Sequence, residues 1–119
     1  MSVSLDSFLP LTPAVFHILL SLGAGERHGY ALKREIAKRT GGKVNLGPAV
    51  LYGSIQRLLE QGLIEESAER PDEHLDDERR RYYRATPLGE ATLRAETGRL
   101  RELVEMAELR MGPAALARG

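Results

Sequence analysis

Cysteine is absent from the 119 residues. Neither a disulfide framework nor a thiolate zinc site is therefore available, and the composition fits a reducing cytoplasm. Tryptophan is absent too, so no ligand can be sandwiched between indole rings. No apolar run approaches the ~20 residues that a membrane-spanning helix needs. The opening Met1-Ser2-Val3-Ser4-Leu5-Asp6 lacks the basic start of a signal peptide. A cytoplasmic protein with no membrane segment is expected. An excess of one charge is also lacking: 17 basic residues balance 17 acidic ones, which taken alone argues against a nucleic-acid partner. A catalytic constellation is missing as well. His17, His28 and His74 are scattered and form no i, i+4 pair, so a metal site is not expected. Gly41-Gly42-Lys43 echoes the end of a phosphate loop, but Val44 follows where Ser or Thr is needed. No metal, no cofactor and no enzyme activity are expected.

What is present is an uneven distribution of charge. From Arg27 to Arg57 the basic residues are Arg27, Lys33, Arg34, Lys38, Arg39, Lys43 and Arg57, with Glu35 as the sole acid. Arg79, Arg80, Arg81 and Arg84 add a second basic run, while acids collect from Glu60 to Glu78 and near the C-terminus. A field depends on where charges lie, so a neutral chain can carry a basic face.

The length suits one domain. Thr12-Pro13 reads as a helix start, with Thr as N-cap and Pro in the first helical position. Ala14, Val15, Ile18, Leu19 and Leu22 follow at helical spacing, and Gly23 and Gly25 end the segment. A second helix runs from Gly29 to Thr40, with Leu32 and Ile36 inward. A third opens at Pro48, buries Leu51, Ile55, Leu58 and Leu59, and ends at Gly62. Leu63 to Arg70 and Arg79 to Ala85 read as two strands of a hairpin around the acidic loop Pro71 to Asp77. Of the alternating Tyr82 and Tyr83, one belongs to the core. Thr86-Pro87 repeats the helix start, and Leu88 to about Met111 reads as one long helix. This order predicts a mainly α chain with a small β-hairpin: a winged helix-turn-helix over 11–85 and a C-terminal dimerisation helix over 86–112. An N-terminal segment, 1–10, and a flexible tail, 113–119, complete it.

In such a fold the third helix enters the major groove. Its outward set is Ala49, Tyr52, Gly53, Gln56 and Glu60. Ala49 and Gly53 allow close approach, Tyr52 and Gln56 carry hydrogen-bonding groups, and Gln pairs well with adenine. Arg57, beside that face, suits a phosphate, as do Ser54 and the free amides of the helix start. Asn45, in the connector before the helix, is a further candidate. Tyr30 suits a phosphate contact and a core position equally. In the wing, strand alternation separates Arg79 and Arg81 from Arg80, and Arg79 and Arg81 are the expected contacts. The basic residues of the second helix, Lys33 and Lys38 among them, read mostly as a solvated face.

Leu93, Thr97, Leu100, Val104, Ala107 and Met111 follow one another at spacings of four, three, four, three and four, a heptad seam. It predicts a homodimer, with Leu103 beside the seam and Leu5, Phe8 and Leu9 covering part of it. Two third helices would then lie about one DNA turn apart, ~34 Å, over a pseudo-palindromic operator.

These residues also carry a family resemblance. The stretch from Leu11-Thr12-Pro13 to Leu22, His28-Gly29-Tyr30-Ala31-Leu32, Leu46-Gly47-Pro48-Ala49-Val50-Leu51-Tyr52, Leu58-Leu59-Glu60-Gln61-Gly62-Leu63-Ile64 and the run Arg79 to Gly89 together resemble PadR-type transcriptional regulators of the short class. The resemblance implies a homodimer built on the last helix and a double-stranded DNA partner met by Tyr30, Tyr52 and the Arg79–Arg81 strand. It also implies repression of a neighbouring gene, relieved in some members by a small aromatic or drug-like effector. Such an effector would lie at the dimer interface near Phe8, Phe16 and Leu100. Two features depart from the family: Val50 stands where a hydroxyl-bearing residue is frequent, and the loop Glu69 to Glu78 is acidic for a DNA-facing wing. They leave an alternative open, a winged-helix protein-interaction module without DNA readout.

Overall fold

A computed structural model describes residues 4–67 and 81–112. Arg79, Arg80, His74, the loop tip and the tail 113–119 lie outside the described residues. After a short helical turn, Asp6–Phe8, come α1 (Pro13–Gly23), β1 (Arg27–His28), α2 (Gly29–Arg39), α3 (Pro48–Glu60), β2 (Ile64–Glu66), β3 (Tyr82–Ala85) and α4 (Pro87–Met111). Each expected helix is there, within a residue or two of its expected ends.

The local chemistry accounts for these boundaries. The Thr12 hydroxyl accepts from the Val15 amide at 3.1 Å and the Thr86 hydroxyl from the Gly89 amide at 3.0 Å, so both Thr-Pro pairs cap a helix. His28 caps α2 through its ring, Nδ1 accepting from the Ala31 amide at 3.1 Å. At the end of α3, Gly62 adopts φ 75° and lets the Leu63 amide donate back to the Leu58 carbonyl at 3.0 Å, a left-handed stop that glycine takes most readily.

The sheet departs from the expected hairpin. Among the described residues it has three strands in the order β1-β3-β2, all antiparallel. Arg27 pairs with Tyr83 and His28 with Tyr82; Ile64 pairs with Ala85, Glu65 with Arg84 and Glu66 with Tyr83. Two residues are too few to show alternation, so β1 is created by β3 and leaves no pattern of its own. Within the described residues β2 ends at Glu66 and β3 begins at Tyr82, so Arg81 precedes β3. Tyr83 is the tyrosine that enters the core; the ring of Tyr82 meets the His28 imidazole edge-on at 5.3 Å.

The core lies around α1. Ile18, Leu19 and Leu22 pack with Leu32 and Ile36 of α2, Leu51, Ile55 and Leu58 of α3, and Leu63, Ile64 and Tyr83 of the sheet. The first half of α4 closes the remaining side. Gly89 is buried, and a Cβ there would overlap the Leu63 carbonyl, so the helix start sits directly on the backbone before β2. Phe8 and Leu93, both expected in a dimer seam, pack against this core, because the beginning of α4 lies along the body.

Glu96 was not anticipated. It is 2% exposed. One carboxylate oxygen accepts from Arg99 Nε at 2.6 Å, and the other from Arg99 Nη2 at 2.9 Å and the Leu11 amide at 3.0 Å. This clamps α4 to the residues leading into α1. The Arg99 hydrogen bond outweighs burial and, with the Leu11 amide, holds the carboxyl below its ordinary range. A depressed carboxyl contributes stability above its unfolded value of about 4.3 and loses it as pH falls through the folded value. Glu96→Gln is expected to lower stability at pH 7 by about 1–2 kcal/mol. In urea unfolding at pH 7 and pH 3, the variant should lose less on acidification than the native chain.

Candidate nucleic-acid interface

Helix α3 is two-faced. Leu51, Ser54, Ile55 and Leu58 are buried, whereas Ala49, Val50, Gly53, Gln56, Arg57 and Glu60 are exposed. Four of the residues expected on the groove side, Ala49, Gly53, Gln56 and Arg57, therefore share an open surface. Ser54 is a correction: it lies 8% exposed among the core residues. The buried set is spaced i, i+3, i+4, i+7, and a serine at i+3 belongs to the inner stripe. That spacing was the signal that could have excluded it. Tyr52 is corrected in part. Its half-buried ring flanks the outward set and rests on the start of α2, where a Cβ on Gly29 would come within 2.9 Å of it.

Tyr30 resolves the other way. It is 50% exposed, with the Arg34 guanidinium 5.8 Å from the ring centroid, within cation–π range. Asn45 stands two residues before the α3 cap, and Lys33 Nζ donates to its Oδ1 at 2.7 Å. Lys33, read from the sequence as mostly solvated, is thus fixed beside the start of α3. No side chain caps that start, unlike those of α1, α2 and α4. Gln56 Nε2 approaches Glu60 Oε2 at 3.4 Å, one turn further along the same face.

Not every cation of the basic segment belongs to this surface. Arg27 donates to Glu35 at 2.8 Å and to the Glu26 carbonyl at 2.7 Å. Arg39 lies 3.4 Å from Glu35 and donates to the Ser21 hydroxyl at 2.9 Å and the His17 carbonyl at 3.1 Å. Burial raises the Glu35 carboxyl, but Arg27, Ser21 and Arg39 together outweigh it and bring it below its usual range. These two arginines staple α1, β1 and α2 together. Lys38, Lys43 and Arg57 have no ion-pair partner among the described residues and stay available to an anion. His17 also belongs to the staple: its Nδ1 lies 3.2 Å from Arg39 Nη2, and burial, then the Arg39 charge, lower its pKa.

In the wing, cations and acids face one another across the strands. Arg84 Nε lies 2.8 Å from Glu65 and Arg81 Nη1 lies 3.6 Å from Glu66. The pairs are half exposed, and such pairs are worth little. Arg81, an expected contact, is accordingly held by Glu66 at small cost.

The comparisons with known proteins bear on this geometry. The model of the transcriptional regulator PadR-like family matches residues 18–95, from within α1 to the middle of α4. The chain belongs to the PadR-like family. It is accordingly a transcriptional regulator and not an enzyme. An uncharacterised protein of Lysinibacillus sphaericus is 34% identical over 86 residues, 72% of this chain and 76% of that one. Among solved structures, a transcriptional regulator from Clostridium thermocellum superimposes with a TM-score of 0.67 at 22% identity, covering 94% of this chain and all of that one. Bacillus subtilis PadR, crystallised in complex with operator DNA, gives a TM-score of 0.61 at 21% identity, over 72% of this chain and 47% of that one. Both share the winged-helix fold of this PadR-like regulator. No described helix is long and apolar enough to cross a membrane.

The two glycines facing α3's surroundings differ in what lies around them. A Cβ at Gly53 would meet nothing within 4 Å, so Gly53→Ala should raise stability by up to ~1 kcal/mol through helix propensity. Gly29→Ala must displace the Tyr52 ring and should lower stability by about 1 kcal/mol. Urea unfolding of the two variants checks the contrast.

Proposed function

We propose that this PadR-like regulator binds operator DNA as a homodimer and represses transcription, with α3 in the major groove. The observation that carries this reading is the open face of α3, small and apolar at its start and polar further on. Lys33, anchored on Asn45, stands just before it and Arg57 lies on it, while Arg27 and Arg39 are kept for the fold. The operator DNA in the Bacillus subtilis PadR crystal supports the same reading. Gln56 contacts a base edge, Arg57 and Lys33 neutralise phosphates, and Tyr30 and Asn45 line the approach. Arg81 exchanges Glu66 for a phosphate when the wing arrives, and Arg79 is a second wing contact.

Dimerisation is supported by the distal half of α4. Leu100, Leu103, Val104 and Met111 are exposed along one side of the distal helix, Met111 by 76%, where every residue from Leu100 to Met111 is exposed. Such an apolar surface needs cover, and a second copy supplies the same surface in return. Ala107 lies on this surface, and in the proposed dimer Leu5 and Leu9 cover part of it. A small-molecule effector seated between copies near Phe8, Phe16 and Leu100 would release the DNA.

Fluorescence anisotropy with the duplex upstream of the chain's own gene, at two salt concentrations, tests the proposal. Binding should saturate at two chains per site and weaken steeply with salt. Arg57→Ala should weaken binding to every sequence and reduce the salt slope by about one unit, while Gln56→Ala should relax discrimination at particular bases. Equal affinity for that duplex and random DNA at both salts would favour the protein-interaction module. Leu103→Glu should halve the mass found by light scattering; an unchanged mass would place the dimer contact elsewhere.

A further inference from the structure

The exposed residues of the first turns of α3 are small or apolar, with the half-buried Tyr52 ring at their flank. Gly47, Pro48, Ala49, Val50 and Gly53 are all exposed. Val50 is 52% exposed, a β-branched side chain that helices disfavour and that the core does not use. Gly47 and Gly53 beside it leave open space, with nothing within 4 Å of an added Cβ. Cations bracket this apolar spot. Lys33 is anchored on Asn45 just before it, and exposed Arg57 follows seven residues after Val50, on the same edge of the helix.

We propose that Val50 reads the 5-methyl group of a thymine, so that each operator half-site carries a thymine at the position it covers. This inference rests on the reading of α3 as the groove helix and adds the base that one residue selects. Base edges in the major groove present donors, acceptors and a single kind of apolar group, the thymine methyl. A branched apolar side chain set over a donor or acceptor removes its water and gives nothing back. Over a methyl group it gains the transfer of both surfaces out of water. Val50 therefore favours thymine and disfavours cytosine, which has the same ring but lacks the methyl and offers an amino group instead. The place on the helix suits this, since the pyrimidine 5-position points toward its own strand's backbone, and Arg57 on the same edge meets that phosphate. Gln56 and Glu60 lie round the helix from Val50 and are bonded to each other, so polar and apolar reading fall to different residues.

The test is selection from a library of random-sequence duplexes by the native chain and by Val50→Ala. Each thymine of the selected half-site is then replaced in turn by deoxyuridine, which removes only the methyl. The native chain should enrich a symmetric site and lose about fourfold in affinity at one uracil position, the worth of one methyl taken out of water. Val50→Ala should bind the thymine and uracil duplexes alike. Equal binding of both duplexes by the native chain, or an undiminished methyl preference in Val50→Ala, would overturn the inference while leaving DNA binding intact. Enrichment of no sequence would remove the DNA reading itself, and this inference with it.

Discussion

Helix α1 must bury the broad apolar face formed by Ala14, Val15, Ile18, Leu19 and Leu22, and the arrangement of the rest follows from that need. Ile18 and Leu19 are sealed from solvent, as are Ala14, Val15 and Leu22. Each Å² of this face removed from water is worth ~25 cal/mol. Helices α2 and α3, strand β3 and the start of α4 each take a side of it. What each shows to solvent is what remains after its inner stripe is used. For α3 the remainder is a small, open surface; for α4 it is a distal half with no body left to touch.

The charges divide in the same way. Glu35 gathers Arg27 and Arg39, and Glu96 gathers Arg99 and the Leu11 amide, in each case joining segments distant in sequence. Glu65 and Glu66 occupy Arg84 and Arg81 in the wing. Of the cations left over, Lys33 is placed by Asn45 just before α3 and Arg57 stands exposed on α3 itself. A chain of zero net charge can thus set positive charge beside one helix.

The helices were legible because their signals are local. Thr12-Pro13, Thr86-Pro87 and Gly62 act within one turn, and the spacing of Leu51, Ile55 and Leu58 shows which side of α3 faces inward. The exposure of Ala49, Gly53, Gln56 and Arg57 followed from that spacing alone. What escaped depends on partners far along the chain. Strand β1 exists through Tyr82 and Tyr83, Glu96 through Leu11, and the staple role of Arg27 and Arg39 through Glu35 and Ser21. Ser54 was misjudged because a hydroxyl was read as a contact before its place in the inner stripe was weighed. Leu93 fits the heptad of α4, but the heptad does not tell which of its positions meet the chain's own body.

Under the proposed function, the body holds α3 outward as the groove helix and the distal α4 holds a second copy. Amide chemical shifts during titration with operator duplex test it most directly. Shifts should concentrate on Lys33, Asn45 and the stretch from Gly47 to Arg57, and spare Leu100 to Met111. Shifts confined to the distal α4, with α3 unmoved, would contradict the account.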